Sequence, residues 1–481
     1  MKTRILVIIV LLMLFTSYPS DGIIQSDDFL ITSFSKNILL STSDTPYTHH
    51  VEPTITIDDN NVIYVGWKNA FSHNGPGVRV SFSKSTNNGK TWSTPFDLPM
   101  FEGNTGQSDP WLVWQNQILF YAYLEYSINT NELSQITVAR SINQGDTWNL
   151  VAASNAEGFA DKETMTISND GTIYVAYDDL NYDTNITTVR LTRSSDYGDS
   201  FDEVGIIADS TTHPGDHLGP YVVTDSKNDV YVAWVWFSNG DWGDVYLETS
   251  QNRGETFSEE IDINPLSENA TMEISPDQRP SRSTLPVIRF DQNDRLYILW
   301  ADRHTEEGEW DIFIRYSDDY GQTWSDRYQV NPKSTGNQWQ PEMDIDSKNR
   351  CHIVWYDEHE DTYGPYYRTL TFPEDDEEEI IFGDPINIAT KNTSSIFTRP
   401  GDYFSIKVDS NDIPHIVWSD GRENEMDIYY SHGIAETASS VGFTTTSTSS
   451  SSPLHSISFG FLVPIMLFFS NKWRKNRRKR N

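Results

Sequence analysis

Asp109, Asp161 and Asp402 stand at similar places in three repeated units, each shortly before an apolar strand signal. Carboxylates that converge without a counter-ion repel one another. A convergence of these three is therefore the chemistry of a hard-cation site, with Ca²⁺ as the cation and loop carbonyls completing about six to eight oxygens. A second set bears on bond cleavage. Asp161, Glu163, Arg303 and Arg422 are the candidate catalytic groups, because a carboxyl kept protonated and another kept ionised could flank a glycosidic bond. A third set suits recognition. Trp111, Trp339 and Tyr403 offer rings, and Arg279, Arg282, Arg303, Arg399 and Arg422 offer planar cations, a mixture that fits a sugar site. The chain shows no zinc-type spacing, no phosphate-binding glycine loop and no Ser–His–Asp constellation.

These residues lie between strand signals, and two repeated phrases order the strands. The first reads Ser-x-Asp/Asn-x-Gly-x-Thr/Ser-Trp/Phe and occurs at 85–92, 141–148, 194–201, 250–257 and 317–324. Its Asn or Asp (Asn87, Asn143, Asp196, Asn252, Asp319) can bond the backbone that follows and fold a turn. The glycine tolerates a positive φ, and the closing ring is an apolar anchor. The second phrase is an apolar strand ending in Tyr or Trp, at 63–67, 118–123, 173–177, 230–234, 296–300, 351–355 and 414–418. Seven units of four short strands predict an all-β, seven-bladed β-propeller over 37–433. The seventh unit runs out after three strands, and 37–41 resembles a fourth, so the N-terminal strand is expected to close the ring.

The five turns resemble the Asp box, or BNR repeat, of sialidase-like β-propellers. The phrases Asp109-Pro110-Trp111 and Gly401-Asp402-Tyr403 resemble bacterial and archaeal sialidase-family proteins of unassigned activity. The resemblance covers about 37–433. It implies that the Asp boxes are structural and that the ligand site lies on the opposite face, where the residues named above would line a central mouth. It also implies a site with three arginines, a Tyr–Glu nucleophile pair and an acid/base Asp. The chain departs from that pattern. No Arg-x-Pro triplet precedes the first unit, Arg279-Pro280 and Arg399-Pro400 lack the intervening residue, and no Tyr–Glu pair can be matched. The units number seven where sialidases have six. Three readings stay open: a surface module that binds glycans or protein partners through its mouth, an exo-acting glycoside hydrolase of exo-α-sialidase type, and a structural envelope or adhesion protein whose mouth does nothing specific.

Composition narrows the partners. The formal net charge is −35, which repels nucleic acid and draws cations. The single cysteine, Cys351, excludes an intrachain disulfide. Residues 1–22 read as a secretory signal, with Lys2 and Arg4 ahead of an apolar run. Residues 436–453 form a Ser/Thr-rich stalk, 454–470 are apolar enough for a short transmembrane helix, and 471–481 are a basic tail. That order predicts a single-pass cell-membrane protein with the propeller outside.

Overall fold

The computed structural model describes residues 29–41, 46–71, 77–127, 134–154, 158–237, 243–264, 285–303, 309–332, 335–373, 379–394, 400–423 and 425–437. Among them every regular element is a strand, and the strands form seven antiparallel sheets. The first strand of each sheet packs against the first strands of both neighbouring sheets, and these contacts close into a ring. The fold is a seven-bladed propeller with those first strands around its axis.

The second strand of each blade carries the apolar phrase and is the most deeply buried. Trp67, Trp234, Trp300, Trp355 and Trp418 are almost fully buried there, as is Cys351. An indole N–H buried at this depth needs an acceptor. Two positions on, Asn69, Asp357 and Asp420 accept from Trp67, Trp355 and Trp418 at 2.9, 3.1 and 2.9 Å. Asp357 and Asp420 thus serve the blade interior.

The repeated turn folds as its residue types require. In the first blade the Ser85 hydroxyl accepts from Gly89 N at 3.0 Å, and Asn87 Oδ1 accepts from Thr91 N at 2.9 Å. Trp92 Nε1 donates to Gly89 O at 3.1 Å, and its half-buried ring meets Tyr430 of the seventh blade edge-on at 4.9 Å. The turn therefore also joins one blade to the previous one. A second turn, between first and second strands, links blades on the same face. Asp294 accepts from Ser226 N at 3.0 Å, Asn349 from Gln292 N at 3.2 Å and Asp412 from Ser347 N at 2.9 Å.

Ring closure follows the expected route. Ile38 and Leu39 pair with Tyr430 and Tyr429 of the strand Asp427–Thr437. A further strand, Phe29–Phe34, which the sequence did not suggest, pairs with residues 433–437 and carries the last blade past Gly433. In the sixth blade three short strands, Ile381–Phe382, Ile386–Asn387 and Thr393–Ser394, pair with the third strand in place of a single fourth strand. The segments read as signal, stalk beyond Thr437, membrane helix and basic tail lie outside the described residues. No helix among the described residues is long and apolar enough to cross a membrane.

Candidate functional site at the propeller axis

One local device aims side chains at the axis. In five blades the first strand bulges, with two residues opposite one on the second strand. The leading bulge residue is left-handed each time: Glu52 (φ 55°), Asp109 (50°), Lys162 (52°), Gly219 (61°) and Gln340 (49°). The next residue is Pro53, Pro110, Glu163, Pro220 or Pro341. Proline has no N–H to give to the ladder, so it suits the unpaired bulge position. Bulges re-aim side chains, and left-handed non-glycine residues are held only where the surroundings impose them.

Glu52, Asp109 and Asp402 converge, with one carboxylate oxygen from each lying within 4.8 Å of the others. Two lysines neutralise them. Lys68 Nζ lies 3.0 Å from Glu52 Oε2; Lys162 Nζ contacts Asp402 directly and lies 3.8 Å from Asp109 Oδ1. Asp161 accepts the Lys162 backbone N–H at 3.0 Å. Burial lifts Asp161 to about 6 and Glu52 to about 7, against the pull of Lys162 and Lys68 respectively. Burial opposes the Lys162 charge, but Asp402, Asp161 and Asp109 hold the ammonium well above its usual range.

Glu163 differs from its neighbours. It is 3% exposed, and no other described residue donates a hydrogen bond to either carboxylate oxygen. Burial first, then the nearby Asp109, pushes its carboxyl well above the ordinary range. Glu163 lines a cavity of about 30 Å³ with Lys162, Gln340, Asp402, Trp111, Tyr221 and Tyr403. Trp111 meets Tyr221 at 5.3 Å and 83° and Tyr403 at 6.3 Å and 66°, so the rings stand edge to face. Behind Tyr221, Arg289 stacks at 4.7 Å and pairs with Glu342 at 3.1 Å, while Lys407 pairs with Asp344 at 3.0 Å. A second cavity of about 370 Å³ shares Trp111 and Tyr221 with the first, and its wall includes Arg289, Asp344 and Lys407.

The structure brings together Asp109, Asp161, Glu163, Asp402, Trp111 and Tyr403 from the sequence-derived set. The residues able to hold a cation are Glu52, Asp109 and Asp402, with Asp161 beside them and the Lys162 ammonium between Asp109 and Asp402. Trp339 is placed elsewhere. It is 2% exposed and packs on Tyr356 at 4.7 Å in the core, not on the mouth wall, because the inner strand turns that ring into the blade. Arg422 is held at the seam between the last two blades, where Nη1 donates to Asn37 Oδ1 at 3.0 Å and Thr390 Oγ1 at 3.1 Å, and Nη2 pairs with Asp420. Arg303 is a strand residue paired with Trp310 through the backbone. Arg279, Arg282 and Arg399 lie outside the described residues. Glu52, Lys68 and Lys162 were missed. The available signal was the dipeptide x-Pro, since Glu52-Pro53 repeats the placement of Asp109-Pro110 and Gln340-Pro341.

No protein-family model matches this chain, and no curated protein matches it. Among solved structures, an ulvan lyase of a polysaccharide lyase family aligns with a TM-score of 0.50 and 11% identity, over 82% of this chain and 98% of that one. A protein of unknown function from Dyadobacter fermentans aligns at 0.49 and 16%, over 69% and 95%. The sialidase of Trypanosoma rangeli aligns at 0.45 and 12%, over 70% and 58%. At such identities the likeness is one of fold. The class is that of the seven-bladed β-propellers, an architecture whose neighbours include enzymes that act on glycans.

Proposed function

We propose that the axial mouth binds a saccharide and that the propeller is displayed outside the cell. The observation that carries this reading is the cavity wall, where Trp111, Tyr221 and Tyr403 stand beside the unpaired Glu163 carboxyl and Gln340. Rings that stack on a sugar, next to a few fixed polar groups, are the usual make-up of such a site. The order of apolar leader, propeller, Ser/Thr-rich stalk, apolar 454–470 and basic tail supports the display. The direct measurement is a glycan array probed with the purified full-length chain in detergent. Binding is expected, with a loss of about tenfold or more in Trp111→Ala, given the share of affinity a buried aromatic anchor carries. An array with no glycan retained would overturn the reading.

Glu163 favours a second reading, glycan cleavage. A carboxyl whose proton burial favours, beside carboxylates paired with Lys162, sets an acid next to potential bases, the division of labour a glycosidase needs. Turnover of an array-identified glycan that vanishes in Glu163→Gln would establish it. Bound glycan recovered intact by mass spectrometry would leave binding alone.

A further inference from the structure

We propose that the axial cavity receives a primary ammonium group, so that the saccharide taken at this mouth is an amino sugar with a free amine. The inference rests on the saccharide reading and names its ligand class. The cavity has acceptors to offer and its donors are engaged. Trp111 Nε1 donates to Met165 O at 3.0 Å, Tyr403 Oη to Pro110 O at 3.2 Å and Gln340 Nε2 to Gly401 O at 2.6 Å. The Lys162 ammonium is turned to Asp402 and Asp109. Pro220, Pro286 and Pro341, also on the wall, have no backbone N–H. The Glu163 oxygens and Gln340 Oε1 receive no hydrogen bond among the described residues, and both side chains are 3% exposed. A buried acceptor left unpaired is costly. The complementary ligand group must therefore bring donors.

Charge selects among donor groups. Among the described residues, Glu52, Asp109, Asp161, Glu163, Asp178, Glu342 and Asp402 stand around this cavity against Lys68, Lys162 and Arg289. Lys68 answers Glu52, Lys162 answers Asp402 and Asp109, and Arg289 answers Glu342, so no described cation forms an ion pair with Glu163. An arriving ammonium supplies three donors and the positive charge against which the Glu163 carboxyl can release the proton that burial makes it hold. The rings of Trp111, Tyr221 and Tyr403 add cation–π attraction. Size agrees as well. A volume of about 30 Å³ holds a group of ammonium dimensions and excludes a pyranose ring, which would sit above the cavity. The net charge of −35 brings cationic glycans toward the protein and disfavours sialosides.

The test is a calorimetric titration of the full-length chain with a glucosamine oligosaccharide, its N-acetylated counterpart and methylammonium chloride, at a pH where the amine is protonated. The free-amine sugar is expected to bind about tenfold or more tightly than the acetylated one, as one charge-assisted hydrogen bond would give. Methylammonium is expected to compete with it. Glu163→Gln, which keeps the shape and cannot ionise, is expected to erase the preference without lowering the melting temperature. The wild-type competition series reads the same preference if that variant fails to fold. Equal or tighter binding of the acetylated sugar would overturn the amine assignment and leave the saccharide reading standing. Binding of methylammonium or a lysine-rich peptide with no sugar bound would overturn both.

Discussion

Glu163 is buried in its charged form only at a cost, because no described donor meets its oxygens and Asp109 lies nearby. The sign of the pH dependence follows. Its folded pKa lies above its unfolded value, so the residue costs nothing below the unfolded pKa, where both states are protonated. As pH rises above that value the unfolded chain releases the proton and the folded chain retains it, and stability falls. Glu163→Gln should therefore match the wild type near pH 4 and exceed it near pH 8 by about 1–3 kcal/mol, the cost of an unsatisfied buried polar group. Denaturant unfolding at the two pH values checks this; a variant no more stable at pH 8 would show that Glu163 is ionised and paired. Glu52, lifted to about 7, belongs to the same cluster but has Lys68 as a partner, so its burial is partly offset.

At the scale of the element, the repeated turn has a glycine whose role goes beyond its φ. Gly89 (φ 76°) and Gly321 (φ 86°) both occupy the left-handed region, where any other residue is strained. They differ in what a Cβ would meet. At Gly89 it would fall 2.2–2.4 Å from the Tyr430 ring; at Gly321 it would lie 3.0 Å from a Leu247 methyl. A flexible Leu can give way, whereas a buried ring that itself bonds His415 at 2.7 Å cannot. Gly321→Ala is expected to cost about 1–2 kcal/mol from backbone strain, and Gly89→Ala roughly 3 kcal/mol or more through added overpacking. Thermal unfolding of both variants decides it, and equal losses would mean that the interblade contact contributes nothing. Trp324 is half-buried and not a full core ring, so truncating it removes less apolar area than a buried tryptophan would.

The whole molecule is held closed by a segment far away in sequence. Ile38 and Leu39 complete the last blade, and Asn37 Oδ1 also accepts from Thr390 N at 2.8 Å and Arg422 Nη1 at 3.0 Å, tying the sixth blade in. Without this segment Asp427–Thr437 would present an open edge, the usual starting point for unwanted pairing. Removing residues 29–41 is expected to lower the melting temperature by several degrees and to promote association, because roughly 4–8 °C accompanies each kcal/mol in a small domain and about half that in a larger one. Differential scanning fluorimetry and light scattering on the truncated chain measure both. An unchanged melting temperature would show that the ring does not depend on its closure. Like charge works against compactness at net −35, which makes the closure contacts more important at low salt.

Blade number, strand order and closure by residues 37–41 were legible in the sequence, because turns such as 85–92 and strands such as 63–67 are local patterns that each specify their own conformation. The readings of 1–22 as a signal and 454–470 as a membrane helix rest on composition alone and fall outside the described residues. Which carboxylates meet was not legible. Glu52, Asp109 and Asp402 are far apart in the chain, and their convergence depends on bulges in two first strands, at Glu52 and Asp109, and on the loop that enters a third, at Asp402. Periodicity can place Asp109 near the axis, but it cannot show that Lys162 reaches across to Asp402 or that Trp339 turns into its own blade. A single extra residue in a strand reverses which face a side chain takes. The repeats therefore determined the propeller, while the tertiary packing of one bulge against the next decided the charges and rings at its centre.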